Sequence, residues 1–188
     1  LAETQIAAFT ATQVKSFSST NLAALADTQI AALTTTQIGA LGATQVAGFG
    51  ATNIAALTET QIGALNATNI AALSATAVSA FDSGQFAALD ATQVRALTST
   101  QIAALDETDV SEFTTTQIAA LTATQVTNLT GTVVEALADT QIAALTTAQV
   151  QALKATNIAA MADSQIAAFA ATQVAALTAS QIAGLDTT

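Results

Sequence analysis

The chain of 188 residues has no cysteine, histidine, tryptophan, tyrosine or proline, and only three basic residues, Lys15, Arg95 and Lys154. These gaps exclude several functions. Without His or Cys, the customary general base and the customary thiol nucleophile are both missing, and the many Thr hydroxyls have only carboxylates to work with. Nucleic-acid binding needs a basic stripe against the phosphates, which three scattered cations in a chain of net charge −10 do not form. The same acidity disfavours anionic membrane surfaces. A membrane-spanning helix takes roughly 20 consecutive apolar residues, whereas runs such as Ile166 to Ala171 are far shorter despite a mean hydropathy of +0.54. No Gly-rich phosphate loop occurs. The expectation is a protein with no catalytic residue, no cofactor and no enzyme activity. Lack of Cys fits a secreted bacterial protein and a cytosolic one equally. Leu1 is not an initiator Met and no signal peptide is evident, which suggests a mature product or a piece of something longer.

What is present is a repeat. From Thr4 to Thr187 the sequence reads T-Q-[IV]-A-A-[LF]-x-x twenty-three times without an insertion, one continuous array over residues 1–188 with no separate domains. Position 1 is Thr except at Gly84, Ala148, Ser164 and Ser180. Position 2 is Gln in sixteen octads and Asn in four, at Asn21, Asn53, Asn69 and Asn157. Position 3 is Ile or Val apart from Leu22 and Phe86, and position 6 is Leu or Phe apart from Met161.

A period of eight constrains the backbone. In a continuous α-helix it leaves a drift of about 80° per octad, so the apolar stripe would wind round the helix and never face one partner. In a strand, positions 3 and 6 would point to opposite faces. A single helical turn puts them on one face. Position 7 supplies a start signal: it is Ser, Thr, Asp or Asn in sixteen octads, with Gln three residues later as in a capping box, and apolar residues at staple spacing on either side. Position 1 is the alternative cap, and the octads reading Ala-Asp-Thr-Gln, at Asp27, Asp139 and Asp163, point to a cap at position 8. In every version a helix of about one and a half turns is followed by a bend. So short a helix cannot stand alone, so neighbouring octads must stack as in a solenoid, with small Ala residues at positions 4 and 5 allowing close approach. The expected fold is all-α, a solenoid of very short helices with one per octapeptide; the alternative is a β-solenoid.

A second pattern bears on the coil. Polar residues at positions 4 and 5 (Lys15/Ser16, Ser79, Arg95, Ser111/Glu112, Thr127/Asn128, Glu135 and Gln151) always follow Val at position 3, and they fall mostly in alternate octads. This predicts two octads, 16 residues, per coil, hence about eleven coils and a rod on the order of 100 Å. A coil of three octads is the alternative.

Ten of the thirteen acids fall at positions 7 or 8, where they cap backbone N–H groups and complement the helix dipole rather than bind calcium. The one dense group, Asp106, Glu107, Asp109 and Glu112, is a weak metal candidate, because it lacks the D-x-D-x-D-G spacing of a calcium loop. The Thr column at position 1 offers either local hydrogen bonds at helix starts or a ruled surface for ice, a glycan or a partner protein. Asn66-Ala-Thr68 and Asn128-Leu-Thr130 fit the N-glycosylation pattern, as chance allows in a Thr-rich chain.

The octads Thr28–Thr35 and Thr140–Thr147, both TQIAALTT, resemble the octapeptide arrays of large bacterial surface or secreted proteins described as haemolysin-type, calcium-binding or haem-utilisation adhesins. The resemblance covers the whole chain and implies an extracellular or cell-surface location, with the cytoplasm as alternative. No haem-ligating His and no calcium nonapeptide is present, so neither activity carries over. The expected function is a structural repeat module: a stalk, a spacer or a self-assembling filament, associating end to end or side by side. The alternative is a repetitive ligand-binding surface along a Thr-bearing face.

Overall fold

A computed structural model describes residues 1–185, so Thr187, the end of the last octad, and Asp186 lie outside the described residues. Among the described residues there are twenty-three short helices of four to seven residues and no strand. The all-α expectation holds and the β-solenoid does not. The helices restart every eight residues, in phase with the sequence repeat.

Each octad folds in the same way for local reasons. Position 7 is the N-cap of every helix from the one after Ala2 to the one after Ala170, in extended backbone such as φ −73° and ψ 157° at Thr34. Position 3 then donates to the position 7 carbonyl, as Ile38 does to Thr34 at 2.9 Å. The helix closes tightly: the N–H of position 6 reaches the carbonyl of position 3, as Leu41 to Ile38 at 3.1 Å. Two consecutive extended residues then turn the corner, for example Leu73 at φ −61°, ψ 145° and Ser74 at φ −68°, ψ 155°. No described residue has a positive φ. The bend therefore needs no left-handed glycine of the kind that ends many helices, and the octad can repeat on a small alphabet. The alternative caps are corrected: Ala26, Ala138 and Ala162 are the N-caps, and Asp27, Asp139 and Asp163 are the first helical residues.

The chain divides into two compact units, Leu1–Leu97 and a second starting at Thr98. In the first, the helix Ala11–Lys15 packs on Thr35–Gly39, that on Glu59–Gly63, and that on Ser83–Ala87. In the second, Ser99–Ala103 packs on Ala123–Thr127, then Thr147–Ala152, then Ala171–Val174. Within each unit a helix thus meets its third successor. The coil of two octads is overturned, and with it the count of eleven coils. A turn of the solenoid takes more than three octads, because the N-terminus of each helix sits on the bend four octads upstream, as described below.

The reason for the wrong period lies in exposure. Position 4 faces solvent in octad after octad, so Ala55, Gly63 and Ala87 are as exposed as Lys15 and Ser79. Position 5 is exposed at Ser16 and half-buried at Glu112 and Asn128, so polar residues at positions 4 and 5 mark tolerance there, not alternate covered and open sides. Nothing in the structure explains why Val accompanies them. The core is formed by positions 3 and 6, as the pattern required, and position 3 is completely covered from Ile6 to Val94. Where Phe86 replaces Ile, it packs edge-on against Phe81 with ring centroids 5.3 Å apart. Small residues at positions 4 and 5 do permit close approach: a Cβ on Gly39 would lie 3.3 Å from the Ala64 carbonyl oxygen.

Candidate functional site

The most organised polar feature is a ladder of amides at position 2. Gln61 is typical and sits in the third residue of its helix, almost wholly buried. Its backbone N–H is capped by the Thr58 hydroxyl at 3.3 Å, and its side-chain Oε1 accepts from the Thr58 N–H at 2.7 Å, completing the capping box. The other half of the same carboxamide leaves the helix. Nε2 donates to the carbonyls of Ile30, Ala31 and Leu33 at 3.3, 3.1 and 2.5 Å, which close the helix four octads upstream. One side chain thus satisfies an orphan donor at one helix start and the Ala31 and Leu33 acceptors at another helix end, groups that burial would otherwise penalise, and it adds a second donor to the Ile30 carbonyl, which already accepts from Leu33 N–H.

This clamp repeats. In the first unit Gln37 holds Ile6 and Phe9, Gln45 holds Val14 and Phe17, Gln85 holds Ile54 and Leu57, and Gln93 holds Ile62 and Leu65. In the second, Gln141 holds Val110 and Phe113, and Gln149 holds Ile118 and Leu121. Asparagine is one methylene shorter and reaches less far. Asn69 donates to Leu41 O at 3.1 Å, and Asn157 to Leu129 O at 3.3 Å. No buried side-chain N or O among the described residues lacks a partner.

The capping-box spacing accounts for the local half of position 2 and not for its burial. A signal was available. A capping box accepts Glu as readily as Gln, yet this acidic chain never places Glu at position 2. A carboxylate can cap its own helix but has no proton to donate to a neighbouring carbonyl.

Most of the acids are placed as helix-start residues; Glu112 and Glu135 stand at helix ends. Asp82, Asp90 and Asp106 are N-caps, accepting from Gln85, Gln93 and Asp109 N–H groups at 2.8, 2.8 and 2.9 Å. Glu3, Asp27, Glu59, Glu107, Asp139 and Asp163 occupy the first helical position. In the group Asp106, Glu107, Asp109 and Glu112, Asp106 and Asp109 cap reciprocally, the Asp106 N–H meeting Asp109 Oδ2 at 3.0 Å. Glu112 lies at the far end of the five-residue helix. Among the described residues no three acids converge as metal ligands. Asp109 takes the place of the clamp amide, and burial pushes its carboxyl above the ordinary Asp value, with the Asp106 charge adding to the rise and its hydrogen bond opposing it.

The Thr column is exposed, for example at Thr36, Thr60 and Thr68. Capping belongs to position 7, not to this column. Thr60 and Thr132 share hydroxyl contacts of 3.0 and 3.1 Å with the cap residues Thr58 and Thr130. At the glycosylation patterns, Asn66 caps the N–H of Asn69 and Asn128 donates to Thr124 O at 2.7 Å. No helix among the described residues is long and apolar enough to cross a membrane.

Comparison with known proteins gives one match. Residues 78–115 match the ALTTAQ repeat. That hexapeptide also stands verbatim at Ala144–Gln149, and in structural terms it runs from the helix end, through the bend and cap, to the clamp amide. The match supports a repeat array over just under five octads. Among curated proteins and among solved structures nothing matches.

Proposed function

We propose that the chain is a structural repeat module, a stalk or spacer in a bacterial protein acting outside the cell. The supporting observation is the position 2 ladder: the most organised polar side chains are buried and consumed in fastening one octad to another. A module so built gains length by adding octads, each bringing its own cap and clamp. Chains with different octad numbers, labelled at both ends, test this by energy transfer or force extension. The end-to-end distance should grow in proportion to the number of octads; a distance that stays constant would refute the spacer.

A second reading rests on the exposed Thr at position 1, which repeats a hydroxyl and a methyl at helix N-termini. Its spacing follows helix packing rather than the ~4.8 Å of adjacent strands, which favours a glycan or protein ligand over an ice lattice. Glycan-array binding and thermal hysteresis distinguish these ligands.

A further inference from the structure

The clamp ladder is not uniform, and its gaps are aligned. Within each unit the amide at position 2 serves the bend 28 residues upstream, as Gln85 serves Leu57 at 2.6 Å and Gln149 serves Leu121 at 2.7 Å. Glutamine reaches two or three carbonyls: Gln165 holds Val134, Glu135 and Leu137, and Gln173 holds Ile142, Ala143 and Leu145. Asparagine reaches one, from Asn53 to Ala23 O and from Asn157 to Leu129 O, both at 3.3 Å. Ala77 and Val133 carry no amide, so the bends at Phe49 and Leu105 receive no clamp. Both side chains are buried, at 0% and 1% exposure, and apolar packing stands where the amide bonds would be.

These weak joints are third neighbours. The helix Ala51–Ala55, which carries Asn53, packs on Ala75–Val78, which carries Ala77. In the second unit Gly131–Glu135, with Val133, packs on Ala155–Ala159, with Asn157. Glu107–Ser111 continues that stack on the other side with Asp109, an acid where the amide would be. Each unit thus holds one stack in which an absent clamp adjoins a single one. Asn69 is different: the helices packed to either side of it carry Gln45 and Gln93, so its joint is isolated.

We propose that these two stacks are seams, one in each unit, at which the coils part first. Parting a joint forfeits the hydrogen bonds and the apolar burial that close it. At Phe49 and Leu105 there is no amide bond to forfeit, so these joints open at lower cost than those under Gln85 and Gln149. The downstream helices keep their own caps, with Ser74 and Thr130 accepting from the Ala77 and Val133 N–H groups at 3.1 and 3.3 Å. Opening at a seam therefore separates the coils and exposes the tight last turn of the upstream helix, while the downstream helix stays capped. In a stalk, each unit gives way along a set line under load. That consequence rests on the structural-module reading, whereas the seams do not.

Residue-resolved amide hydrogen exchange of the 188-residue chain tests the seams. The Phe49 and Leu105 N–H groups each bond to the position 3 carbonyl of their own octad, as do those of Leu57 and Leu121 at clamped bends. The first two are expected to be about tenfold less protected than the second two. A reciprocal pair of swaps follows: V133Q supplies an amide facing Leu105, and Q149V removes the one that holds Leu121. V133Q is expected to raise protection at Leu105 about tenfold, and Q149V to lower it at Leu121 by as much. Leu145, held by Gln173, is the internal reference and should not move in either variant. If V133Q loses helical circular dichroism signal, Q149V decides alone. Equal protection at Phe49, Leu57, Leu105 and Leu121 in the parent overturns the proposal. So does a folded V133Q that leaves Leu105 unchanged, or a Q149V in which Leu121 keeps its protection. Each of these results leaves the spacer standing, whereas an end-to-end distance independent of octad number refutes the spacer and leaves the seams.

Discussion

At the scale of a residue, the glutamine at position 2 explains more than the apolar pattern does, because its two polar atoms serve two different helices. Gln61 supports a graded test. Gln61→Asn keeps one donor on a shorter stem, as at Asn69, and should lose about 1 kcal/mol in urea unfolding. Gln61→Leu leaves the Thr58 N–H and the Ala31 and Leu33 carbonyls without their partner and should lose about 3 kcal/mol. Gln61→Glu keeps the cap and removes the donor, so it is destabilising at neutral pH. Its folded-state carboxyl is raised above the unfolded value, so stability should recover as the pH falls and the protonated acid donates. Asp109 tests the same physics natively. With its folded pKa raised above 3.8, the folded state holds a proton that the unfolded state has lost, so this residue's contribution falls as pH rises above 3.8. Asp109→Asn should remove that slope and raise the neutral-pH melting temperature, and melting curves across pH compare the two chains directly.

At the scale of the element, each helix is too short to form from its own propensity and is defined by its ends. Cap strength therefore controls it more than composition does. Thr58→Ala removes the acceptor for the Gln61 N–H and should cost about 1 kcal/mol. The converse change is available where the cap is alanine: Ala138→Ser places a hydroxyl beside the Gln141 N–H and should add a comparable amount. Equal denaturation midpoints for both variants and the parent would show that the caps carry no energy here. The spacing Thr-x-x-Gln was legible because a capping box is local chemistry. The octads capped by Ala26, Ala138 and Ala162 were misread in sequence because Asp is a better cap by type than Ala. The phase won: moving the cap by one residue would carry Gln29, Gln141 and Gln165 off the position that clamps.

At the scale of the whole molecule, stability is expected to be a sum of octads and their contacts, since each helix packs on its third successor within a unit. Phase then matters more than length. Removing the octad Thr60–Ala67 keeps every later residue in register and should leave the helical signal per residue unchanged. Removing only Thr60–Gly63 breaks the alternation of cap and core and should abolish cooperative unfolding of the first unit. Circular dichroism with thermal melts separates the two outcomes, and equal behaviour of both deletions would refute an octad-based build.

The period of eight, the helical class, the cap wherever position 7 is polar and the choice of positions 3 and 6 for the core were determined by sequence, because each follows from a pattern within one or two octads. The number of octads per coil was decided only by tertiary structure. It depends on the angle that two extended residues impose at every bend, summed over several bends, and no local pattern records that sum. The burial of Gln37, Gln61 and Gln85 was decided there too. A carboxamide looks the same whether its NH2 meets water or a carbonyl 28 residues upstream, and only the closing of the coil brings that carbonyl within reach.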